Sequence, residues 1–412
     1  MPSTWPKPIA TVPASIPTPA SRAQPLLAGG VSSHTLPPSV VDPLSSSLTA
    51  LLASWQTVHR GLHGIAAGQA LESSVQLALD AMSAELERWQ AMHRMHPERF
   101  QLLFRFPRQR IGRELHQVLQ LGPDPTSWTR RRSLIQSCAS VAARLQLMSI
   151  TPQEEKMWQI FSTLEVEEAE AGILGAQQSF GKHLHLKGGA TGQIQLMQDW
   201  EWPYMFALAD AGFQIALQNT LRSGSKSLRI LEVGWGQGIS GRRLWDHAAS
   251  AGRGFGVAYE VVELHPRVAA DARERALQQA SQGGLVPSVH VHDGPWQKIL
   301  ATLPANSYDL IFYDPLNISP RYIGEAQFFE PWGLPVCVFE ALQFYRLLKL
   351  GGVVVQYAIS HRTSTVKMLQ EQLAPLFREL RLTRVEGLKP EADSSYVTTA
   401  EAADLFVPAF IK

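Results

Sequence analysis

The chain has 412 residues, of which 45% are hydrophobic and 18% charged, and its formal net charge at pH 7 is +1. That length allows two domains with a sizeable core, and the near-zero charge excludes a global field that would attract nucleic acid or an acidic membrane. The two cysteines, Cys138 and Cys337, exclude a disulfide framework and a cysteine-based zinc site, and they fit a reducing, cytoplasmic compartment.

Residues 1–43 are rich in Pro, Ser, Thr and Ala, and the first acidic residue is Asp42. Prolines spread without periodicity disfavour both helix and sheet, so we predict a disordered tail. A targeting peptide is the alternative, but Lys7 and Arg22 are few and proline interrupts any amphipathic helix. No apolar run in the chain approaches the roughly 20 residues that span a bilayer, so we expect no membrane partner.

Residues 44–187 show helical periodicity and predict an all-α N-terminal domain. One apolar face comprises Leu48, Leu51, Leu52, Trp55, Val58 and Leu62, and a narrower one comprises Val75, Leu79, Met82, Leu86 and Trp89. A second copy could cover the narrower face and give a homodimer, although packing within one domain is more common. Thr151 to Glu154 form a good helix start, and the acidic residues Glu165 to Glu170 are interpreted as a solvated face.

Arginines also gather in this region, at Arg99, Arg105, Arg108, Arg110, Arg113 and Arg130 to Arg132. A nucleic-acid surface is one interpretation of this patch, but the neutral overall charge argues against it. The glycines at Gly188, Gly189 and Gly192 predict a hinge before a second domain.

From residue 188 to 412, short apolar runs alternate with helical patterns. The first predicted strand is the apolar run that ends at Val233. The next four cover Phe255 to Val262, Ser288 to His292, Tyr308 to Tyr313 and Val353 to Tyr357. This alternation is typical of an α/β domain with a parallel sheet and right-handed crossovers. The apolar segments near the C-terminus, such as Leu405 to Ile411, suit an antiparallel edge.

The stretch Ile230 to Gly241, ILEVGWGQGISG, organises this domain. A buried strand breaks into Gly234, Gly236 and Gly238 and continues as a helix, which brings free backbone N–H groups close to a ligand. Dehydrogenases use a similar loop with the spacing G-x-G-x-x-G. Here the spacing is G-x-G-x-G with Glu232 before it, and this arrangement resembles the first motif of class I methyltransferases, which bind S-adenosylmethionine.

Four of the predicted strands end in glycine or an acid, at Gly234, Glu263, Asp293 and Asp314. In a parallel α/β sheet, ligands bind at these carboxyl ends. Glu263 can accept hydrogen bonds from both ribose hydroxyls, and Asp293 to Trp296 would lie at the adenine. The alternatives are that Glu263 is a solvated strand end, that Trp296 belongs to the core and that Asp314 opens a turn before Pro315.

Residues 197–412 resemble guanidinoacetate N-methyltransferase and the related fungal enzymes that methylate protein arginine. The matching segments, in order, are WEWPYM at Trp200, ILEVGWGQG at Ile230, ELHPRV at Glu263, DGPWQKIL at Asp293, FYDP at Phe312 and FYRLLKLGG at Phe344. The resemblance implies a class I, Rossmann-like methyltransferase domain that uses S-adenosyl-L-methionine without a metal. It also implies that Glu201 and Asp314 grip the guanidinium of the substrate and are the catalytic residues.

The resemblance assigns further residues to each ligand. The implied cofactor-binding residues are Tyr204, Met205, Glu232, Gly234, Gly236, Gly238, Glu263, Leu264, Asp293, Gly294, Pro295, Trp296 and Asp314. The implied substrate-binding residues are Trp200, Glu201, Asp314, Asn317, Ala358, Ile359 and Ser360.

This chain departs from the family at Trp202 and Pro315, and its Ala358-Ile359-Ser360 replaces the segment that holds the carboxylate of the small substrate. The acceptor therefore stays open among free arginine, a small arginine-derived metabolite and a peptidyl arginine. The competing hypotheses are a nucleic-acid or small-amine N-methyltransferase and a non-catalytic scaffold that binds S-adenosylmethionine.

Overall fold

The chain is described here by a computed structural model. It describes residues 53–54, 56–57, 77–84, 86–88, 128–150, 152–170, 182–187, 193–197, 199–251, 255–281, 288–315, 336–357, 369–386, 388 and 405–412. The predicted tail, the arginines from Arg99 to Arg113 and the substrate residues Asn317 and Ala358 to Ser360 lie outside these ranges.

Seven strands form the main sheet. They are β4 (Ser227–Val233), β5 (Gly256–Glu263), β6 (Ser288–Asp293), β7 (Tyr308–Tyr313), β8 (Leu348–Gln356), β9 (Glu379–Val385) and β10 (Leu405–Ile411). Their spatial order is β6-β5-β4-β7-β8-β10-β9, with parallel pairing from β6 to β8. β10 runs antiparallel to both of its neighbours, as the apolar C-terminal segments predicted. A doubly wound sheet with one antiparallel strand near its edge is the class I methyltransferase fold, so the predicted fold class is confirmed.

Five described helices of this domain lie before or between its strands along the chain, and they pack on both faces of the sheet. They are α3 (Trp202–Arg222), α4 (Ile239–Ser250), α5 (Pro266–Ser281), α6 (Trp296–Thr302) and α7 (Val336–Leu347). Side chains of α3, α4 and α5 share one apolar core with Ile230, Tyr259 and Phe312 of the sheet. The opposite face buries Leu231, Ile311 and Val354 against α6 and α7. No helix among the described residues has the length and apolar character that crossing a bilayer requires.

The N-terminal region contributes two helices that pack on this domain, α1 (Trp128–Ser149) and α2 (Pro152–Ser162). Ile135, Ala139 and Ala142 of α1 belong to the same buried core as α7. Residues 77–84 are also helical, and Leu79 and Met82 of the narrower predicted face are fully buried. Residues 47–412 form one compact unit, and the predicted boundary at residue 188 lies within it.

The expectation of helix across Glu165 to Glu170 is wrong. This segment is strand β1 (Glu165–Glu170), which pairs antiparallel with β2 (Lys182–Lys187), and β2 pairs with β3 (Gln193–Met197). Val166 and Leu186 are in register and both are buried, so this cross-strand pair favours the strand despite the run of glutamates. The predicted hinge at Gly188 to Gly192 lies between the paired strands β2 and β3, and its own residues are outside the described ranges.

Candidate functional site

The carboxyl ends of β4, β5 and β7 lie side by side. Val233 at the end of β4 is in register with Val262 of β5 and Tyr313 of β7. Hydrogen bonds continue the alignment beyond the strands, because the Gly234 N–H donates to the Val262 carbonyl (2.9 Å) and the Asp314 N–H donates to the Val233 carbonyl (2.9 Å). The strand-end residues that the sequence singled out thus meet at one edge, where α/β sheets bind ligands.

The glycine loop after β4 allows a close approach of backbone to backbone. Gly234 has φ of 88°, and a Cβ there would lie 2.4 Å from the carbonyl oxygen of Asp314. Gly238 precedes α4 with φ of 67°, and a Cβ there would lie 2.4 Å from the ring of Trp235. Trp235 is buried and its Nε1 donates to Asp271 (3.0 Å), which fixes the loop from below. Side chains at either glycine would therefore displace the loop.

Glu232 lies beneath this loop and is fully buried. Its carboxylate accepts hydrogen bonds from the hydroxyls of Ser240 (2.5 Å) and Tyr259 (2.5 Å). Burial raises the pKa of Glu232 to about 7, although both hydrogen bonds oppose the rise. The side chain thus joins β4, β5 and α4 and holds the loop in place, and it does not line the cavity above.

Glu263 ends β5 and faces the same edge. One carboxylate oxygen accepts from the Trp235 N–H (3.0 Å) and the other from the His265 N–H (2.8 Å). Burial raises the pKa of Glu263, and these backbone N–H groups partly offset the effect. A carboxylate offers about four lone-pair positions, so Glu263 retains acceptor capacity for two further hydroxyl groups.

A cavity opens above these loops. Of the predicted cofactor residues, Gly234, Gly236, Glu263, Leu264, Gly294, Pro295, Trp296 and Asp314 line it. Its other lining residues are Trp158, Phe161, Leu186, Met197, Val233, Trp235, Val262, His265, Val268, Gln297 and Pro315. Trp158 and Phe161 belong to α2 and were missed by the sequence reasoning. Their only signal was an apolar spacing of three on a well-started helix.

Other predicted site residues lie away from the lining. Tyr204 and Met205 are buried in the core, and the Tyr204 hydroxyl donates to the Phe406 carbonyl (2.7 Å). Trp200 is also buried in this core. The Asp293 side chain is 56% exposed and pairs with Arg273 (2.5 Å), although the residues directly after it line the cavity.

Glu201 and Asp314 approach each other from different elements. Glu201 ends a short 3₁₀ helix (Asp199–Glu201), directly precedes α3 and is 3% exposed. Asp314 follows β7 and lines the cavity. Burial raises the pKa of Asp314 well above its ordinary value, and the negative charges of Glu201 and Glu232 raise it further. The site therefore concentrates acidic groups, and a bound cation would stabilise their ionised form.

Comparison with known proteins gives a family for this arrangement. Residues 181–401, more than half of the chain, match the guanidinoacetate N-methyltransferase family. The chain is 31% identical over 104 residues to protein arginine N-methyltransferase 2 of Emericella nidulans, and 29% identical over 105 residues to that of Aspergillus fumigatus. Each match covers 25% of this chain and 21% of the relative, so the chain spans about a fifth of the length of these curated relatives.

Solved structures with some similarity include MNMC2 from Aquifex aeolicus, at 16% identity and a TM-score of 0.35. That match covers 68% of this chain and 84% of the other. Coclaurine N-methyltransferase, solved with N-methylheliamine and SAH, matches at 13% identity and a TM-score of 0.24, covering 72% of this chain and 79% of the other.

The residues at the cavity fit S-adenosylmethionine. Gly234 and Gly236 leave room for a ligand against the backbone, and Glu263 has acceptor capacity for a ribose diol. Apolar surface from Leu264, Pro295 and Trp296 continues the cavity beyond Glu263, where an adenine would lie. The lining of the cavity therefore fits the methyl donor S-adenosylmethionine, and the chain belongs to the guanidinoacetate N-methyltransferase family.

Proposed function

We propose that the chain methylates a guanidino group, and that the acceptor is free arginine, a small arginine-derived metabolite or an arginine within a peptide. One observation carries the proposal: Asp314 lines the donor cavity, and Glu201 is buried close enough for its charge to act on that carboxyl. Two carboxylates at the edge of a methyl-donor site are suited to a cationic acceptor.

A guanidinium fits this pair by charge and by shape. Its pKa lies above about 12, so it arrives as a cation with planar, forked N–H donors. Carboxylates bind such a fork by paired, charge-assisted hydrogen bonds. Binding of the cation also offsets the burial and the charge repulsion that together raise the pKa of Asp314, so the ionised pair is stabilised when the cation is present.

The carboxylates also prepare the nitrogen for reaction. S-adenosylmethionine, when bound, supplies an electrophilic methyl group on a sulfonium. The guanidinium nitrogen must lose a proton as its lone pair forms the new N–C bond, and Glu201 and Asp314 stabilise and accept that proton. Asp314 contacts the donor cavity, so it places the nitrogen on the reacting side of the donor. Alignment of nitrogen, methyl and leaving sulfur then accounts for most of the acceleration.

The relatives support arginine chemistry without choosing the acceptor. The family is named for methylation of guanidinoacetate, and the two fungal relatives are named protein arginine N-methyltransferase 2. Both acceptors carry a guanidino group, the feature that the two carboxylates would recognise. Trp202, which follows Glu201 and stacks edge-on with Phe206 (5.4 Å), replaces the smaller or more flexible family residue beside this pair.

The test is Glu201→Gln, which keeps the size of the side chain and removes its charge. We expect kcat/KM for the guanidino acceptor to fall at least about 100-fold, the usual scale of acid–base contributions, with little change in S-adenosylhomocysteine affinity. Product would be identified by mass spectrometry across arginine, arginine-derived metabolites and arginine peptides. Glu274→Gln, a change of an exposed carboxylate on α5, is the matched control.

Wild-type activity in Glu201→Gln on a guanidino acceptor would contradict the proposal. Activity on amines or nucleic acid alone would move the acceptor to another class. If the folded protein binds S-adenosylhomocysteine but methylates nothing in the panel, the scaffold hypothesis would gain.

A further inference from the structure

Helix α2 supplies part of the cavity that holds the methyl donor. Trp158 is 5% exposed and Phe161 is 2% exposed, and both side chains line the cavity together with Gly234 and Gly236 of the glycine loop. Both residues precede residue 181, so they lie outside the segment that matches the family. Part of the cavity wall therefore comes from residues outside the segment that matches the family. We call residues 152–166 the α2 wall.

Three side chains, those of His265, Arg267 and Lys298, attach the α2 wall to the carboxyl edge of the sheet. The His265 Nε2 donates to the Leu164 carbonyl (2.9 Å), and the Arg267 guanidinium donates to the Val166 carbonyl (3.0 Å). On α6, Lys298 pairs with Glu155 (2.6 Å) and lies 5.6 Å from the ring centroid of Trp158. The wall is thus held at the ends of both β5 and β6.

His265 carries a second observation that points to a ligand. A carbonyl only accepts, so Nε2 carries a hydrogen, and in the neutral imidazole Nδ1 then presents a lone pair. Nδ1 is buried and has no hydrogen-bond partner among the described residues, and the side chain lines the cavity. A buried acceptor of this kind is ordinarily satisfied, and a donor hydroxyl of a bound molecule would satisfy it.

The position of Trp158 identifies which part of the donor it faces. In doubly wound sheets, the acid after the second strand binds the ribose, and the base extends toward the next strand. Here that acid is Glu263, and the next strand is β6, which leads into α6. Trp158 lies against Lys298 of α6, so its ring is on the nucleobase side of Glu263.

We propose that the α2 wall is part of the methyl-donor site and that Trp158 binds the adenine ring of S-adenosylmethionine. An indole offers a flat apolar face to a purine, and aromatic contacts with a base are a strong source of affinity. Phe161 and His265 line the same cavity beside Trp158. The inference rests on the donor site alone and holds whichever acceptor is methylated.

The experiment measures the Kd of the full chain for S-adenosylhomocysteine and for methylthioadenosine, which lacks the amino-acid end. We expect Trp158→Ala to weaken both ligands by the same factor, about tenfold or more, and Trp158→Phe to retain most of the affinity. A loss confined to S-adenosylhomocysteine would place Trp158 at the amino-acid end and overturn the assignment. Unchanged affinity for both ligands would also overturn it.

Met157→Ala is the matched control, because Met157 is equally buried on the same helix but does not line the cavity. An equal loss in Met157→Ala would mean that helix packing, not ring contact, sets the affinity. Hydrogen exchange of the wild-type chain gives a test that needs no variant. Methylthioadenosine should protect the backbone of residues 152–164, and absence of protection would overturn the proposal even if Trp158→Ala fails to fold.

Discussion

Glu232 is a buried acid beneath the donor site, and its protonation makes the stability of the chain depend on pH. Its carboxyl is fully buried, and burial raises its pKa to about 7, from an ordinary value near 4.3. The charge of Glu263 contributes in the same direction, while the Ser240 and Tyr259 hydroxyls oppose it. The folded chain therefore binds a proton at Glu232 more tightly than the unfolded chain does.

The sign of the stability change follows from this difference. Between about pH 4.5 and pH 7 the folded state holds more protons at Glu232, so its contribution to the free energy of unfolding falls as pH rises through that window. Each tenfold difference in proton affinity corresponds to about 1.4 kcal/mol. Glu232→Gln cannot ionise, so the stability of this variant relative to wild type should improve from pH 5 to pH 8.

Urea unfolding at several pH values measures this difference. Glu340 has a pKa of about 7 for the same reason, so the wild-type curve alone does not isolate Glu232. Glu340 is present in both proteins, and the difference between the two curves removes it. A difference that stays constant with pH would refute the assignment.

Individual strand-end residues were predictable because a parallel sheet brings its carboxyl ends together. Gly234, Glu263 and Asp314 meet at one edge for this reason. Asp293 satisfies the same positional rule, yet its side chain turns outward to Arg273. Position along a strand determines where a residue lies. The direction of the exposed Asp293 carboxylate is set instead by its ion pair with Arg273 of α5.

At the scale of elements, short apolar runs predicted the parallel strands of the main sheet, although β8 begins at Leu348, five residues before the predicted start at Val353. The prediction failed at β1, where four glutamates occur within six residues. The deciding contacts join Val166 to Leu186, twenty residues along the chain, and local periodicity does not report such pairing. The same limit applies to α2, because helical periodicity marks an apolar face without saying what it covers.

Helix α1 gives the element-scale prediction. Ile135 is 1% exposed and shares a core with Leu231 and Tyr345 of the methyltransferase fold. Ile135→Ala should lower the free energy of unfolding of the whole unit by about 2–5 kcal/mol, the range for a cavity in a packed core. Urea unfolding followed by two probes would show one shared transition.

The control for this variant is Ser140→Ala on the same helix. Among the residues that the structure describes, the Ser140 hydroxyl donates to the Gln136 carbonyl of its own helix (3.0 Å), so the change should stay within about 0.5 kcal/mol. If Ile135→Ala shows a separate unfolding transition at lower urea and still binds S-adenosylhomocysteine, α1 would be an independent domain.

At the scale of the whole molecule, the N-terminal helices and the methyltransferase sheet contribute side chains to one buried core and to one cavity. α1 completes one core, and α2 completes the cavity wall. The sequence separated these regions because their composition changes at the glycines near residue 188. Composition describes the local chain, whereas the shared core depends on contacts across more than 200 residues, such as that of Lys412 with Gln136 (2.8 Å).

Three N-terminal deletions separate these contributions. A chain that starts at residue 44 should keep the stability and S-adenosylhomocysteine affinity of the full chain, because the proline-rich segment is predicted to make few contacts. A chain that starts at Thr151 lacks α1 but keeps the α2 wall. We expect a lower Tm, since the face of α7 is uncovered, and an affinity for S-adenosylhomocysteine close to that of the full chain wherever the protein is folded.

A chain that starts at Gly188 lacks α1, the α2 wall and strands β1 and β2, whose Leu186 also lines the cavity, so it should lose both stability and donor affinity. Calorimetry for Tm, and isothermal titration for Kd, distinguish the two losses in the same preparations. The order of the three chains is the decisive result: affinity should fall between the second and third deletions, and stability between the first and second. A soluble, monomeric chain from Gly188 with full affinity would show that the methyltransferase sheet needs neither helix.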